Sequence, residues 1–263
     1  MTTIQRAQSI AISGSAPHAD GPLELIVPVY NEAENFPALL AEVESQVPAP
    51  FVMNVVYDFD EDTTVPVARS FAADRPWLKL VKNRHGRGVV AAIRTGFEEV
   101  GRGPALVIMA DLSDDLRIVP TMLDLYRRGY RVVCPSRYMR GGRQVGGPRL
   151  KRLLSRTAGV SLRWLAGFPT HDATNNFRLY DAALVNELGI ESTGGFELAL
   201  ELTAKAFRRG ERIAELPTTW RDRTAGTSRF RLMKWLPKYL YWYAYGLVSR
   251  PDRGGRRATK GAP

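Results

Sequence analysis

Tyr30-Asn31-Glu32, the acidic stretch from Asp58 to Thr64, and Asp111-Leu112-Ser113-Asp114-Asp115 each come straight after a short apolar run. Polar groups gathered where apolar strands end are a common place for ligand chemistry, so these three clusters are the first candidates for a site. Their counterweight is basic. From Arg127 to Arg163 the chain carries a dense series that includes Arg137, Arg149, Lys151, Arg152 and Arg156, with no Asp or Glu among them. A second basic zone runs from Arg221 through Lys234 and Lys238 into the tail between Arg253 and Lys260, and the net charge is +10. Such an excess suits a partner that carries negative charge: phosphate groups, an anionic membrane surface or nucleic acid. The plainer alternative is a solvated face that serves solubility. No RNA-binding or helix-turn-helix signature accompanies the charge, which sets nucleic acid behind the other partners.

Other reactive side chains add little. The single cysteine, Cys134, excludes an internal disulfide, and after Val132 and Val133 it reads as a packing residue. His18, His85 and His171 lack metal-ligand spacing. Gly86-x-Gly88 opens a helix, but the third glycine, Gly96, falls too far away for a dinucleotide fingerprint.

The elements that must position the clusters follow from apolar periodicity. Leu23–Val29, Phe51–Tyr57, Leu78–Val81, Ala105–Ala110 and Tyr130–Pro135 read as strands, rich in β-branched residues. Helices are expected between them: one carrying Phe36, Leu39, Leu40 and Val43, then Thr64–Ala73, one opened by Gly86 and Gly88, and Pro120–Arg128. This alternation means a mostly parallel sheet covered by helices, with ligands at the carboxyl ends of its strands. Beyond Arg137 a glycine-rich loop leads into a helix over Leu150–Leu165. A loop and short strand over Asp172–Tyr180, a helix over Phe196–Arg208 and a strand over Ile213–Leu216 follow. Leu232–Leu247 is an aromatic helix with Pro237 expected in its first turn. It suits plain core, or a membrane interface with flanking lysines and arginines on anionic headgroups. No apolar run approaches the roughly 18–20 residues that a spanning helix needs.

In order and spacing, these segments resemble the family 2 glycosyltransferases, and within them the dolichol-phosphate mannose synthase group, from about Leu23 to Tyr239. Val27-Pro28-Val29-Tyr30-Asn31-Glu32 matches the family's first strand and turn. Tyr57-Asp58-Phe59-Asp60-Glu61-Asp62-Thr63-Thr64 lines up with Asp-Asp-Gly-Ser-x-Asp-x-Thr, with Asp58, Asp62 and Thr64 retained. Ser136-Arg137-Tyr138, Gly141-Gly142, Ser155-Arg156, Asp172, Phe177-Arg178, Glu201, Glu215-Leu216-Pro217, Asp222-Arg223, Gly226 and Ser228 follow in register. The resemblance implies a GT-A fold, Rossmann-like, with a C-terminal extension on the acceptor side. It divides the chain into a disordered arm (1–21), a catalytic domain (22–231), the aromatic helix (232–250) and a basic disordered tail (251–263).

It also implies roles. Pro28, Tyr30, Glu32, Asp58 and Asp111 fall at the nucleotide. Asp58 is placed to accept from a nucleobase edge, unless it is an ordinary helix-start charge, and Asp62 suits either a ligand or an N-cap. Arg137, Lys151, Ser155, Arg223 and Arg229 fall where the family gathers phosphates. Asp111, Arg137, Asp172 and Arg223 make the catalytic set, with Asp172 nearest the acceptor. The sequence departs from the family where Met109-Ala110-Asp111 replaces the first acid of an Asp-x-Asp. Methionine is a poor ligand for a hard cation, so Mg²⁺ or Mn²⁺ would be held by Asp111 weakly, in another geometry, or not at all. Ala173-Thr174-Asn175-Asn176 also replaces the usual Thr-Ser-Gly.

The implied reaction is inverting transfer of a mannose- or glucose-type hexose from a nucleoside-diphosphate sugar to a polyprenyl or dolichyl phosphate, by a protein peripheral to the cytoplasmic face of a membrane. Two alternatives stand beside it: the same donor with a soluble acceptor, and a degenerate protein that only binds nucleotide-sugar or nucleic acid.

Overall fold

The computed structural model describes residues 21–194, 197–222 and 232–248. The elements run β1 (Leu23–Val29), α1 (Phe36–Gln46), β2 (Phe51–Tyr57), α2 (Thr64–Ala72), β3 (Leu78–Lys82), α3 (Val89–Val100), β4 (Pro104–Val107), α4 (Val119–Arg127) and β5 (Val132–Ser136). The second half adds β6 (Arg143–Val145), α5 (Arg149–Ala166), β7 (Arg178–Asp181), α6 (Ala182–Leu188), α7 (Leu198–Arg208), β8 (Ile213–Pro217), β9 (Thr219–Arg221) and α8 (Leu232–Val248).

Seven strands form one sheet in the order β3-β2-β1-β4-β7-β5-β8. All neighbours pair in parallel except β7, which runs antiparallel between β4 and β5. The strands are apolar on both sides because helices cover both faces. On one face Phe36, Leu39, Leu40 and Val43 of α1 pack with Val65 of α2 and Met122 of α4; on the other, Ile93 and Phe97 of α3 pack with Val185 of α6 and Leu202 of α7. A third cluster joins Leu162 of α5, Leu200 of α7 and Trp242 of α8.

Pro28 lies inside a central strand, where a proline is normally excluded. Here its missing N–H falls where the β1–β4 ladder ends: pairing stops at Ile26↔Val107, and Ile108 N donates to Ile26 O at 3.1 Å. β4 is therefore shorter than the apolar run Ala105–Ala110 suggests. The next backbone donor, Met109 N, is taken by the Asp114 carboxylate at 3.2 Å, outside the sheet.

The reversal of β7 matters most for the site. It brings the amino end of β7, with the loop from Asp172 to Phe177, to the edge where every other strand has its carboxyl end. The short strands β6 and β9, which apolar periodicity does not reveal, pair as a separate ribbon. Pro237 sits inside α8 and not in its first turn. The arm before Gly21, the tail after Val248 and the segment 223–231 lie outside the described residues.

A candidate active site at the carboxyl edge of the sheet

The turn after β1 and the turn after β2 are clasped together. Asp62, fully buried, accepts from Asn31 N through both oxygens (3.1 and 3.0 Å) and from Thr64 N at 2.8 Å. Glu32 N donates to Thr64 Oγ1 at 2.9 Å, and Thr63 N donates to Asn31 Oδ1 at 3.1 Å. Asn31 stands at φ 55°, a left-handed conformation that asparagine tolerates better than most residues. Asp62 thus clasps the two turns, with its oxygens taken by backbone N–H groups. Asp58 braces the next loop: Oδ1 accepts from Asn83 Nδ2 at 2.7 Å and Oδ2 from Gly88 N at 2.9 Å. Gly88, at φ 127°, reaches that carboxylate in a conformation that side-chain-bearing residues avoid.

Above the clasp, exposed Tyr30 meets Phe59 edge to face at 5.5 Å, and Arg87 lies over the Phe59 ring at 4.9 Å. Phe59 stands where the motif that the sequence resembles has glycine. Pro28 is buried in β1, so only its edge or backbone could meet a nucleotide. The Glu32 carboxylate accepts from Asn35 Nδ2 at 2.7 Å. Asp60 pairs with Lys82 at 2.5 Å on the surface at the β3 end.

After β4 the chain makes a strained turn. Leu112 stands at φ 59°, and Ser113 N donates to Asp111 Oδ1 at 3.2 Å. Non-glycine residues in this region cost on the order of 1–3 kcal/mol and concentrate at functional sites. The turn is held by Arg221 N of β9, which donates to Ser113 O at 3.0 Å. Asp114 folds back beneath Met109 and comes close to Asp111. Desolvation first, and the Asp111 charge second, push its carboxyl up to about 8. Two hard carboxylates on one turn, Asp111 and Asp114, suit a divalent cation in donor chemistry, even with Met109 in the place of an acid. Among the described residues no third acid, histidine or cysteine joins them, so the remaining positions would fall to ligand oxygens.

On the other side of β4 the chemistry is cationic and closed. Arg137, at the end of β5, grips buried Asp172: Nε to Oδ2 at 2.7 Å, Nη2 to Oδ1 at 2.8 Å, and backbone N to Oδ2 at 3.0 Å. Nη2 also donates to Ser155 Oγ of α5 (3.3 Å) and Thr174 Oγ1 (3.2 Å), and those two hydroxyls meet at 2.5 Å. Burial opposes both charges. Even so, the Arg137 pair holds the Asp172 carboxyl below its ordinary range, and Asp172 holds Arg137 protonated. With both oxygens committed and no exposed surface, Asp172 is a buried counter-ion that positions Arg137, which corrects its reading as a catalytic group.

The loop that carries Asp172 is fixed from three sides. Glu215 of β8 accepts from Thr170 Oγ1 (2.9 Å) and His171 N (2.6 Å), and faces His171 Nδ1 at 2.8 Å. Arg178, fully buried, donates to Asp172 O and Ala199 O at 2.8 Å each and to the Thr203 hydroxyl. Gly159 of α5 lies so close that an added Cβ would stand 2.0 Å from His171 O. Separations such as 44 residues between His171 and Glu215 leave no local sequence signal for these partners. Asn176, in the same loop, is buried, and its Nδ2 has no partner among the described residues. Lys151 is exposed on α5, one turn from Ser155; Arg223 and Arg229 lie outside the described residues.

With this geometry in hand, comparison with known proteins is informative. A family model described as glycosyl transferase family 2 matches residues 24–189. The chain is 29% identical over 211 residues to the polyprenol monophosphomannose synthase of Mycolicibacterium smegmatis, covering 78% of this chain and 79% of that one. It is also 29% identical over 210 residues to the undecaprenyl-phosphate mannosyltransferase of Micrococcus luteus, covering 78% and 85%. In three dimensions it is similar to glucosyl-3-phosphoglycerate synthase from Mycobacterium tuberculosis, crystallised with Mn²⁺, UDP-glucose and phosphoglyceric acid. The TM-score is 0.63 at 14% identity, over 89% of this chain and 82% of that one. A mannosyltransferase from Pyrobaculum calidifontis in complex with GDP-Man and Mn²⁺ gives a TM-score of 0.57 at 16% identity, over 87% and 65%. At such identities the structural likeness establishes the fold.

Proposed function

This chain belongs to glycosyl transferase family 2 and has the GT-A fold, and we propose that it transfers a hexose from a nucleoside-diphosphate sugar to the phosphate of a polyprenyl lipid. Mannose from GDP-mannose is the leading donor, since the relatives at 29% identity are named as a polyprenol monophosphomannose synthase and an undecaprenyl-phosphate mannosyltransferase. One observation supports the reading above the others. The antiparallel β7 sets the Arg137–Asp172–Ser155–Thr174 cluster beside the acidic turn of β4, at one edge of one sheet.

In this reading the donor lies across the ends of β1, β2 and β4, with Tyr30 and Phe59 beside its base and its diphosphate at Asp111. A divalent cation on Asp111 and Asp114 would neutralise the departing diphosphate. The acceptor phosphate is already anionic near neutral pH, so it needs alignment more than deprotonation. Its oxygen attacks the anomeric carbon as the bond to the diphosphate breaks, inverting that centre and releasing the nucleoside diphosphate. Lys151 and Ser155 face the incoming phosphate, with Arg223 and Arg229 as further contacts, and Arg137 is held in place by Asp172. The acceptor places the protein at the cytoplasmic surface of a membrane. No helix among the described residues is long and apolar enough to cross one.

A second reading keeps the donor and replaces the lipid by a soluble phosphate ester. Asn175 and Asn176 favour it, because two amides stand in the Asp172–Phe177 loop where the family the sequence resembles carries Ser-Gly. Nucleotide release from a panel of GDP- and UDP-sugars, with and without short-chain polyprenyl phosphate and EDTA, tests the proposal. Lipid-dependent release that EDTA suppresses is expected. Release that ignores the lipid with every donor would refute it.

A further inference from the structure

The helix α5 carries large apolar side chains that the described chain leaves exposed. Leu150, Leu153, Leu154, Trp164 and Leu165 are all exposed, Trp164 to 82% and Leu153 to 61%. At 100° per residue, Leu150, Leu153, Leu154 and Trp164 fall within one sector of about 100°. The opposite side is the one that packs. Gly159 and Leu162 are buried and Ser155 bonds towards Arg137, while Ser161, which falls inside the apolar sector about 20° from Leu150, reaches Tyr243 OH of α8 at 2.7 Å. Between these two sides runs a basic edge of Arg149, Arg152, Arg156 and Arg163, with Lys151 on the far flank and no acid anywhere on the helix. Scattered exposed leucines are ordinary; five large apolar side chains on one helix, bordered by cations, are not.

We propose that this face of α5 is the surface by which the protein docks on an anionic lipid bilayer, its leucines and tryptophan at the acyl boundary and its arginines among the headgroups. Charge complementarity decides the occupant. A second copy of the chain would bring the same arginines against themselves, whereas a bilayer rich in acidic lipids offers apolar depth and negative charge together. The assignment adds α5 to the interfacial surface expected of α8, whose Trp242 is buried against α5 and α7 with Tyr239, Tyr243 and Tyr245 partly buried beside it, while Leu240, Tyr241 and Val248 stay exposed. It deepens the membrane-facing part of the proposed function by naming the surface. Because Ser155 lies on the packed side of the same helix, docking would also set the Arg137 cluster close to the headgroup plane.

The test uses the full chain and vesicles free of both polyprenyl phosphate and sugar donor, so failure of the proposed reaction cannot be mistaken for failure of docking. Co-sedimentation is measured with phosphatidylcholine vesicles alone and with phosphatidylcholine mixed with phosphatidylglycerol. Wild type is expected on the mixed vesicles and released by salt. The double variant Leu153→Glu/Trp164→Glu should lose about tenfold or more in partitioning, and Arg149→Glu/Arg152→Glu a comparable amount, with melting temperatures unchanged. Unchanged binding by both variants would overturn the proposal and move the contact to the basic tail. So would failure of wild type to bind, or light scattering that shows a wild-type dimer split by the Leu153→Glu/Trp164→Glu variant.

Discussion

At the ends of β1, β2 and β4 the carboxylates are occupied by backbone N–H groups: Asp62 by Asn31 and Thr64, Asp58 by Gly88, Asp111 by Ser113. At the end of β5 and before β7 the carboxylate Asp172 is occupied by a guanidinium, and Glu215 by a hydroxyl, an amide and an imidazole. The first half shapes turns, and there burial, with the Asp111 charge second, drives Asp114 towards its protonated form. The second half is neutralised internally. A site built this way asks its ligands for a cation on one side and for an anion, met by cations further along α5, on the other.

The sharpest way to break the contrast is Asp111→Asn. If the diphosphate sits at β4, turnover should fall by roughly 1,000-fold or more while the melting temperature stays put. Retained activity would move the diphosphate elsewhere. Asp172→Asn comes next and should act on stability first. It strips a buried guanidinium of its partner, a change that costs about 3–5 kcal/mol and lowers the melting temperature by on the order of 10 °C. Because the folded-state Asp172 carboxyl lies below its ordinary range, its stabilisation is present above about pH 4 and is lost as the pH falls through the folded value. The gap between the two proteins should therefore close in strong acid.

Asp114→Asn has the opposite sign. Its carboxyl, raised from 3.8 to about 8, keeps in the folded chain a proton that the unfolded chain has released, so stability declines as pH rises through that window. In EDTA at pH 8 the asparagine variant should melt a few degrees above wild type, roughly in keeping with 1–2 kcal/mol; an equal or lower melting temperature would mean that the acids are not in conflict. The smallest expected change is Asn176→Gly. It should alter the preference between lipid and soluble acceptors by about tenfold or less, read as a ratio of kcat/KM values.

Much of the sheet is legible without coordinates, because β1, β2 and β5 are short apolar runs with β-branched residues, β3 is a short run around Leu78, Leu80 and Val81, and α1 shows its buried face at three- and four-residue steps. The fold is less legible where hydrogen bonding overrides pattern. β4 stops at Val107 although the apolar run continues to Ala110, since Asp114 takes the next backbone donor. β7 reads as a strand, but nothing local in Arg178–Asp181 states that it runs antiparallel between β4 and β5. In the site, motif order locates Asp58, Asp62, Asp111, Arg137 and Asp172, yet not what each touches. That Asp62 clasps two turns and Asp172 neutralises Arg137 follows from contacts across 31 and 35 residues. The exposed face of α5 was visible only as an excess of arginine, because the same leucines would serve equally well in a core.

The most direct measurement is the product itself. GDP-mannose is incubated with the protein and an equimolar mixture of short-chain polyprenyl phosphate and 3-phosphoglycerate, and the glycosylated species are weighed by mass spectrometry. Mannosyl-phosphoryl polyprenol, formed by wild type and absent with Asp111→Asn, is the expected result. Sugar found only on 3-phosphoglycerate, or GDP released with no glycosylated lipid, would contradict transfer to a lipid phosphate.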